Sequence, residues 1–155
     1  MKQSFNENWP ILIALVVAAT VATSVPAVAQ QHDTGEILIV AWMNRDAVRV
    51  TLTEGRACYW SRSRATLWRK GETSGQVQLL RELRLDCDGD TVLLLVDQHG
   101  VACHTGRRSC FFRAWRGGGW AVIAEPQIPP ETLYPDAKAD PTGAAGRTDA
   151  PGSEP

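Results

Sequence analysis

The chain has 155 residues and a formal net charge of −1, which leaves room for one modest domain and lacks the broad positive excess of a polyanion binder. Nucleic acid is therefore not the expected partner. Its four cysteines are an even number, so composition alone leaves both a disulfide framework and a metal site open.

Residues 1–24 form an apolar N-terminal segment. Between Glu7 and Asp33 there is no Asp, Glu, Lys or Arg, and Ile11-Leu12-Ile13-Ala14-Leu15-Val16-Val17 follows Lys2 as a signal-peptide core would, with Ala27-Val28-Ala29 mimicking a cleavage site. A strand is predicted from Ile37 to Ala41. Asn44 then caps a helix through Thr53 that Gly55 ends, with Ala47, Val48 and Leu52 as its packing stripe. Further strands are predicted at Ala57 to Ser61, Val77 to Leu85 and Val92 to Val96, with another near Cys110 to Trp115. Cys58 lies on an apolar strand and is expected in the core. Past Gln127 the chain turns rich in Pro, Gly, Ala and Asp without periodicity, so residues 126–155 are expected to be a disordered tail. The expected fold is an α+β domain over residues 25–125, with a small, largely antiparallel sheet and one or two helices. At that size a dimer interface would add useful burial.

Three segments carry chemistry. Tyr59-Trp60-Ser61-Arg62-Ser63-Arg64 and Trp68-Arg69-Lys70-Gly71-Glu72-Thr73-Ser74-Gly75 gather guanidinium, hydroxyl and glycine around tryptophan. Arginine forks and exposed amides suit phosphate oxygens, and an indole face can stack on a heterocycle, so a phosphorylated nucleotide fits; a solvated strand face uses the same residues. Asp86-Cys87-Asp88-Gly89-Asp90 places three carboxylates in alternation, on one side of an extended backbone with Cys87 on the other. Such a cluster repels itself unless a hard cation such as Mg²⁺ neutralises it. An EF-hand is excluded, since its sixth position would be Thr91 and its twelfth Asp97. A polar hairpin turn is the plain alternative.

Cys103-His104-Thr105-Gly106-Arg107-Arg108-Ser109-Cys110 supplies the third segment. With Cys87 it makes three thiolates too widely spaced for a CxxC knuckle, so a shared metal has to be assembled by the fold or by two subunits. Zinc on three protein ligands keeps a fourth position for water and lowers that water's pKa towards about 7, the signature of a hydrolase. Buried apolar cysteines or disulfide partners are the competing reading.

These motifs, together with Ala41-Trp42-Met43-Asn44, resemble in order and spacing the phosphoribosyl-AMP cyclohydrolase family of histidine biosynthesis, over about Val25 to Arg113. The resemblance implies a homodimeric enzyme that uses zinc and magnesium to open the purine ring of N1-(5-phosphoribosyl)-AMP at the N1–C6 bond. It implies Cys87, Cys103 and Cys110 as zinc ligands, completed across the dimer interface, and Asp86, Asp88 and Asp90 as magnesium ligands. His104, beside a ligand cysteine, is the expected proton shuttle, since imidazole titrates near neutral pH. A hydrogen bond to a thiolate is the alternative role. Arg62, Arg64, Arg69, Lys70, Arg107 and Arg108 are the candidates to hold the two phosphates.

The ends depart from that family. Val25-Pro26-Ala27-Val28-Ala29-Gln30 resembles its first strand, so cleavage after Ala29 would remove part of the domain. Thiolates on zinc favour a reducing compartment, which makes the cytoplasm the expected location. A form tethered to or exported across a membrane through residues 1–29 is the alternative. So is a noncatalytic exported zinc or disulfide module in which Cys58 joins the other three cysteines, although it gives Asp86, Asp88, Asp90 and His104 no task.

Overall fold

A computed structural model describes residues 24–134; the signal-like stretch 11–17 and the tail past 134 lie outside the described residues. In chain order the elements are β1 (Val25–Gln31), β2 (Ile37–Met43), α1 (Arg45–Glu54), β3 (Cys58–Ser61), β4 (Thr66–Arg69), β5 (Gln78–Leu85), β6 (Val92–Gln98), β7 (Arg113–Arg116), β8 (Gly119–Val122) and α2 (Pro130–Leu133). One four-stranded sheet has the order β2-β1-β6-β5, and β3-β4 and β7-β8 form two-stranded sheets. All strand pairs are antiparallel except β1 with β6, which run parallel at the centre. The largely antiparallel α+β expectation holds, with a parallel pair at its heart.

β1 and β6 both alternate buried with half-buried residues, the period of a strand with one face in the core. That face brings Ala27, Ala29, Val92, Leu94 and Val96 against Leu38 and Met43 of β2, Ala47 and Val48 of α1, and Ala57 and Tyr59. The helix begins and ends as predicted. Asn44 Oδ1 accepts a hydrogen bond from the Ala47 amide at 2.9 Å, and Gly55 closes the helix in the left-handed region at φ 66°. Thr51 is buried with that stripe because its hydroxyl exchanges hydrogen bonds with the backbone of Cys58, at 2.8 and 3.1 Å.

Four stretches differ from expectation. The strand expected from Cys110 starts only at Arg113, because the Cys110 amide is spent on the Leu38 carbonyl at the edge of β2, 2.8 Å away. β4 and β8 were not anticipated; each is a four-residue strand reached by a tight turn, too short to show a period. Residues 126–134 are not tail: they turn back onto the domain, and Leu133 of α2 is only 4% exposed.

The parallel pairing fixes where the functional segments fall. β1, β6 and the start of β2 meet at one end of the sheet, where Gln98 also pairs with Gln78 at the start of β5. The chain leaves that end as an irregular segment over 99–112 carrying Cys103, His104 and Cys110. The turn carrying Asp86 to Asp90 joins β5 to β6 at the opposite end, beside the Leu85–Val92 pair.

Candidate metal centre and nucleotide cavity

The acidic segment is a turn, not the extended run expected from its alternation. Asp86 makes it one: its Oδ1 accepts from the amides of Asp90 and Thr91 at 3.0 and 3.1 Å, and Gly89 supplies the left-handed φ of 77° that closes the turn. The carboxylates still converge. Asp86, Asp88 and Asp90 each present an oxygen within 4.8 Å of the others, all exposed. The backbone amide of Thr91 holds the Asp86 carboxyl below the usual range, whereas the Asp86 carboxylate, with that of Asp90, pushes Asp88 above it. Three oxygen donors under mutual repulsion are a donor set that fits a hard divalent cation.

The thiols divide into a pair and a single. Cys103 sits at the neck of a tight loop, where the Ala102 and Cys103 amides donate to the carbonyls of Arg108 and Arg107, each at 3.0 Å. Its sulfur lies 3.1 Å from Thr105 Oγ1. Cys110 is drawn to the same place by the β2 edge, helped by Ser109 Oγ donating to the Ile37 carbonyl at 2.7 Å. Burial first, and then the neighbouring Cys103 thiol, push the Cys110 thiol up to about 12, so a soft cation there would displace protons that the site otherwise keeps. His104 is exposed on this loop. Cys87 is exposed on the acidic turn, at the far end of the seven-residue β6, a span of roughly 20 Å at the usual rise per residue. Among the described residues the three aspartates are the only trio of candidate metal ligands that converge. Cys103 and Cys110 thus stand together, and Cys87 lies a strand's length away in the same chain. Cys58 is fully buried in the core, as expected.

A chain of buried amides secures the thiol loop. Tyr59 OH donates to Gln78 Oε1 at 2.6 Å, and Gln78 Nε2 donates to Gln98 Oε1 at 2.8 Å. Gln98 Nε2 then donates to the carbonyls of His99 and Val101, at 2.7 and 3.2 Å. Gln31 Oε1 accepts from the Gln98 amide and from Arg108 Nη2, at 3.0 and 2.8 Å. These glutamines are at most 7% exposed, and buried amides with every partner in place define one loop conformation.

The basic candidates separate by what they already hold. Arg108 Nη1 donates to the carbonyls of Gln98 and Gly100, which makes it a loop brace. Arg69 is clasped by Glu54 through two bonds of 2.6 and 2.7 Å. Lys70 is 6% exposed, with Nζ donating to the Gln76 carbonyl at 3.3 Å; burial lowers its pKa against the pull of Cys110 and Cys103. Arg107 donates to the Ala124 carbonyl at 2.8 Å and lies over the Phe112 ring. Arg62 stacks on Trp42, 3.7 Å from the ring centre. Arg64 lies on the rim of a cavity of about 410 Å³ with Trp68, the Gly71-Glu72-Thr73-Ser74 turn and Tyr134. A second hollow of about 560 Å³ lies between Trp42, Trp60 and Trp68, beside Arg62. Of the six, only Arg62 and Arg64 carry no hydrogen bond to carboxylate or carbonyl among the described contacts.

The sequence model of the phosphoribosyl-AMP cyclohydrolase family matches residues 39–112. A protein of that name from Rhodospirillum centenum is 69% identical over 110 residues, which span 71% of this chain and 83% of the relative. Namesakes from Alkalilimnicola ehrlichii and Granulibacter bethesdensis are 70% and 68% identical, over 77% and 87% of their lengths. This chain belongs to the phosphoribosyl-AMP cyclohydrolase family. It is accordingly a hydrolase. Part of what surrounds the cyclohydrolase motifs was missed in the sequence. Tyr134 falls past the family match and inside the expected tail. Gln31, Gln78 and Gln98 stand at strand ends, where a polar residue reads as solvent-facing, and only the paired strands show them facing one another.

Proposed function

We propose that this chain hydrolyses N1-(5-phosphoribosyl)-AMP at the N1–C6 bond, as the third step of L-histidine biosynthesis, working in the cytoplasm as a homodimer that holds zinc and magnesium. The observation that carries the two-chain reading is the separation of Cys87 from the Cys103–Cys110 pair by the length of β6. A second copy supplies the missing donor if its acidic turn meets the thiol loop of the first. The sheet face away from the core supports such a contact: Val28 pairs with Val40 and Leu93 there, and Val40 is 47% exposed. Among the described residues no helix is long and apolar enough to cross a membrane.

Cys103 and Cys110 with the partner's Cys87 would hold zinc, which when bound supplies the Lewis acidity that makes water nucleophilic at neutral pH. Asp86, Asp88 and Asp90 would hold magnesium, whose task is to orient a phosphate or ring substituent. Arg64 and the amides of the Gly71–Ser74 turn would take a phosphate, and Trp68 and Trp42 offer faces to the base. Ribosylation at N1 leaves C6 electron-poor. Water adds its oxygen to C6 of the neutral imine substrate, the C6–N1 bond breaks, one water proton passes to the exocyclic nitrogen and the other to N1. His104, exposed beside Cys103, is the group to carry that proton. The carboxamide and the formimino nitrogen that result account for every atom of substrate and water.

The test is metal content with turnover. Purified full-length chain should carry one zinc per subunit and convert N1-(5-phosphoribosyl)-AMP to the ring-opened product, followed by absorbance. A zinc-replete dimer that leaves this substrate unchanged in the presence of Mg²⁺ would overturn the assignment.

A further inference from the structure

The residues just past the hairpin β7-β8 are tied to the thiol loop at one point and to the cavity at another. The amides of Gln127 and Ile128 both donate to the Gly106 carbonyl, at 2.7 and 3.2 Å, and Gly106 itself closes back on the Cys103 carbonyl at 3.1 Å. The fit is close enough that a Cβ on Gly106 would run into the Ile128 carbonyl, and its φ of 76° already demands glycine. Arg107 adds a bond to the Ala124 carbonyl. Pro126, Pro129 and Pro130 then restrict the backbone, and Leu133 anchors the far end in the interior at 4% exposure. The next residue, Tyr134, lines the 410 Å³ cavity together with Arg64, Trp68 and the Gly71–Ser74 turn.

We infer that residues 126–134 are a strap that presents Tyr134 as a wall of the nucleotide cavity, so that its ring packs on the bound nucleotide and sets affinity. This rests on the function proposed above for the cavity. A segment serving only as a brace has no need to carry an aromatic side chain at the cavity rim, and the prolines and the buried Leu133 hold that ring in place before ligand arrives, which lowers the ordering cost of binding. The strap also runs from the turn that carries Cys103 and His104 to the cavity wall.

The experiment compares full-length wild type with Tyr134→Ala, Tyr134→Phe and Leu133→Ala. Loss of one base–aromatic contact predicts a KM about tenfold higher for Tyr134→Ala, with kcat within about twofold and zinc content unchanged. Tyr134→Phe should stay near wild type, and Leu133→Ala, which unseats the anchor, should raise KM in the same direction. AMP binding by calorimetry gives a readout free of turnover, and Tyr134→Ala should weaken it by a similar factor. An unchanged KM and AMP affinity in Tyr134→Ala would overturn the inference. So would zinc loss with a fall in kcat at constant KM, which marks a brace. A wild type that binds AMP through Tyr134 yet turns over no substrate would leave the strap standing and remove the proposed reaction. A wild type that fails to bind AMP at millimolar concentration and also shows no Tyr134-dependent KM would remove the strap.

Discussion

Replacing Gln78 by leucine keeps the bulk of the side chain and deletes both of its hydrogen bonds. Tyr59 OH, fully buried, loses its acceptor, and Gln98 Oε1, at 7% exposure, loses its donor. Each stranded polar group costs about 1–3 kcal/mol, so Gln78→Leu should destabilise the fold by about 2–5 kcal/mol. Tyr59→Phe strands only Gln78 Oε1 and should cost about 1–2 kcal/mol. Combining the two removes both members of the Tyr59–Gln78 bond, so the double variant should fall short of additivity by about 1 kcal/mol. Urea unfolding of the four proteins, with and without zinc, measures this. Because Gln98 holds the carbonyls of His99 and Val101, Gln78→Leu should also weaken zinc binding. A loss under about 0.5 kcal/mol for Gln78→Leu, or strict additivity with Tyr59→Phe, would refute the amide chain as the support of the thiol loop.

Cys103→Ala should abolish zinc binding and turnover together, whereas Cys58→Ala, an excision from the core against Thr51, should cost about 1 kcal/mol of stability and leave zinc content unchanged; atomic absorption decides it, and equal metal loss in both would favour a closed four-cysteine site. Asp88→Asn removes a charge that Asp86 and Asp90 repel, so the variant should keep zinc, lose most activity and no longer gain thermal stability from Mg²⁺. An unchanged Mg²⁺-dependent rise in Tm for Asp88→Asn would exclude the aspartate trio as the cation site.

How much was legible in the sequence depended on the range of the forces involved. The helix over 45–54 was readable because its start and stop are local: Asn44 bonds an amide three residues on, and Gly55 adopts a conformation other residues resist. The strands predicted at 37–41 and 92–96 were readable from their apolar runs, and each extends two residues further in the structure. The partners of polar residues were not. Gln31, Gln78 and Gln98 look alike on paper, and only the pairing of β6 with β1 on one side and β5 on the other gathers them at one end of the sheet. The acidic turn and the thiol loop fall at opposite ends of the sheet because β6 runs between them. Arg108 and Lys70 looked like phosphate ligands because charge is visible in a sequence and burial is not; one braces carbonyls, and the other is drawn inward beside Cys110. Residues 126–134 read as tail from their proline content, yet proline also stiffens a strap, and the deciding contact is a carbonyl at Gly106 some twenty residues earlier.

Subunit mixing tests the shared centre most directly. Cys87→Ala and Cys110→Ala chains should each be inactive, since each lacks one zinc donor at every site. After exchange, half of the dimers combine the two, and each such dimer holds one site with Cys87 from one chain and Cys103 with Cys110 from the other. Turnover should therefore return to about a quarter of wild type, with zinc recovered in proportion. A mixture that stays inactive while mass spectrometry shows that the subunits have exchanged, or a monomer that turns over substrate, would contradict a centre built by two chains.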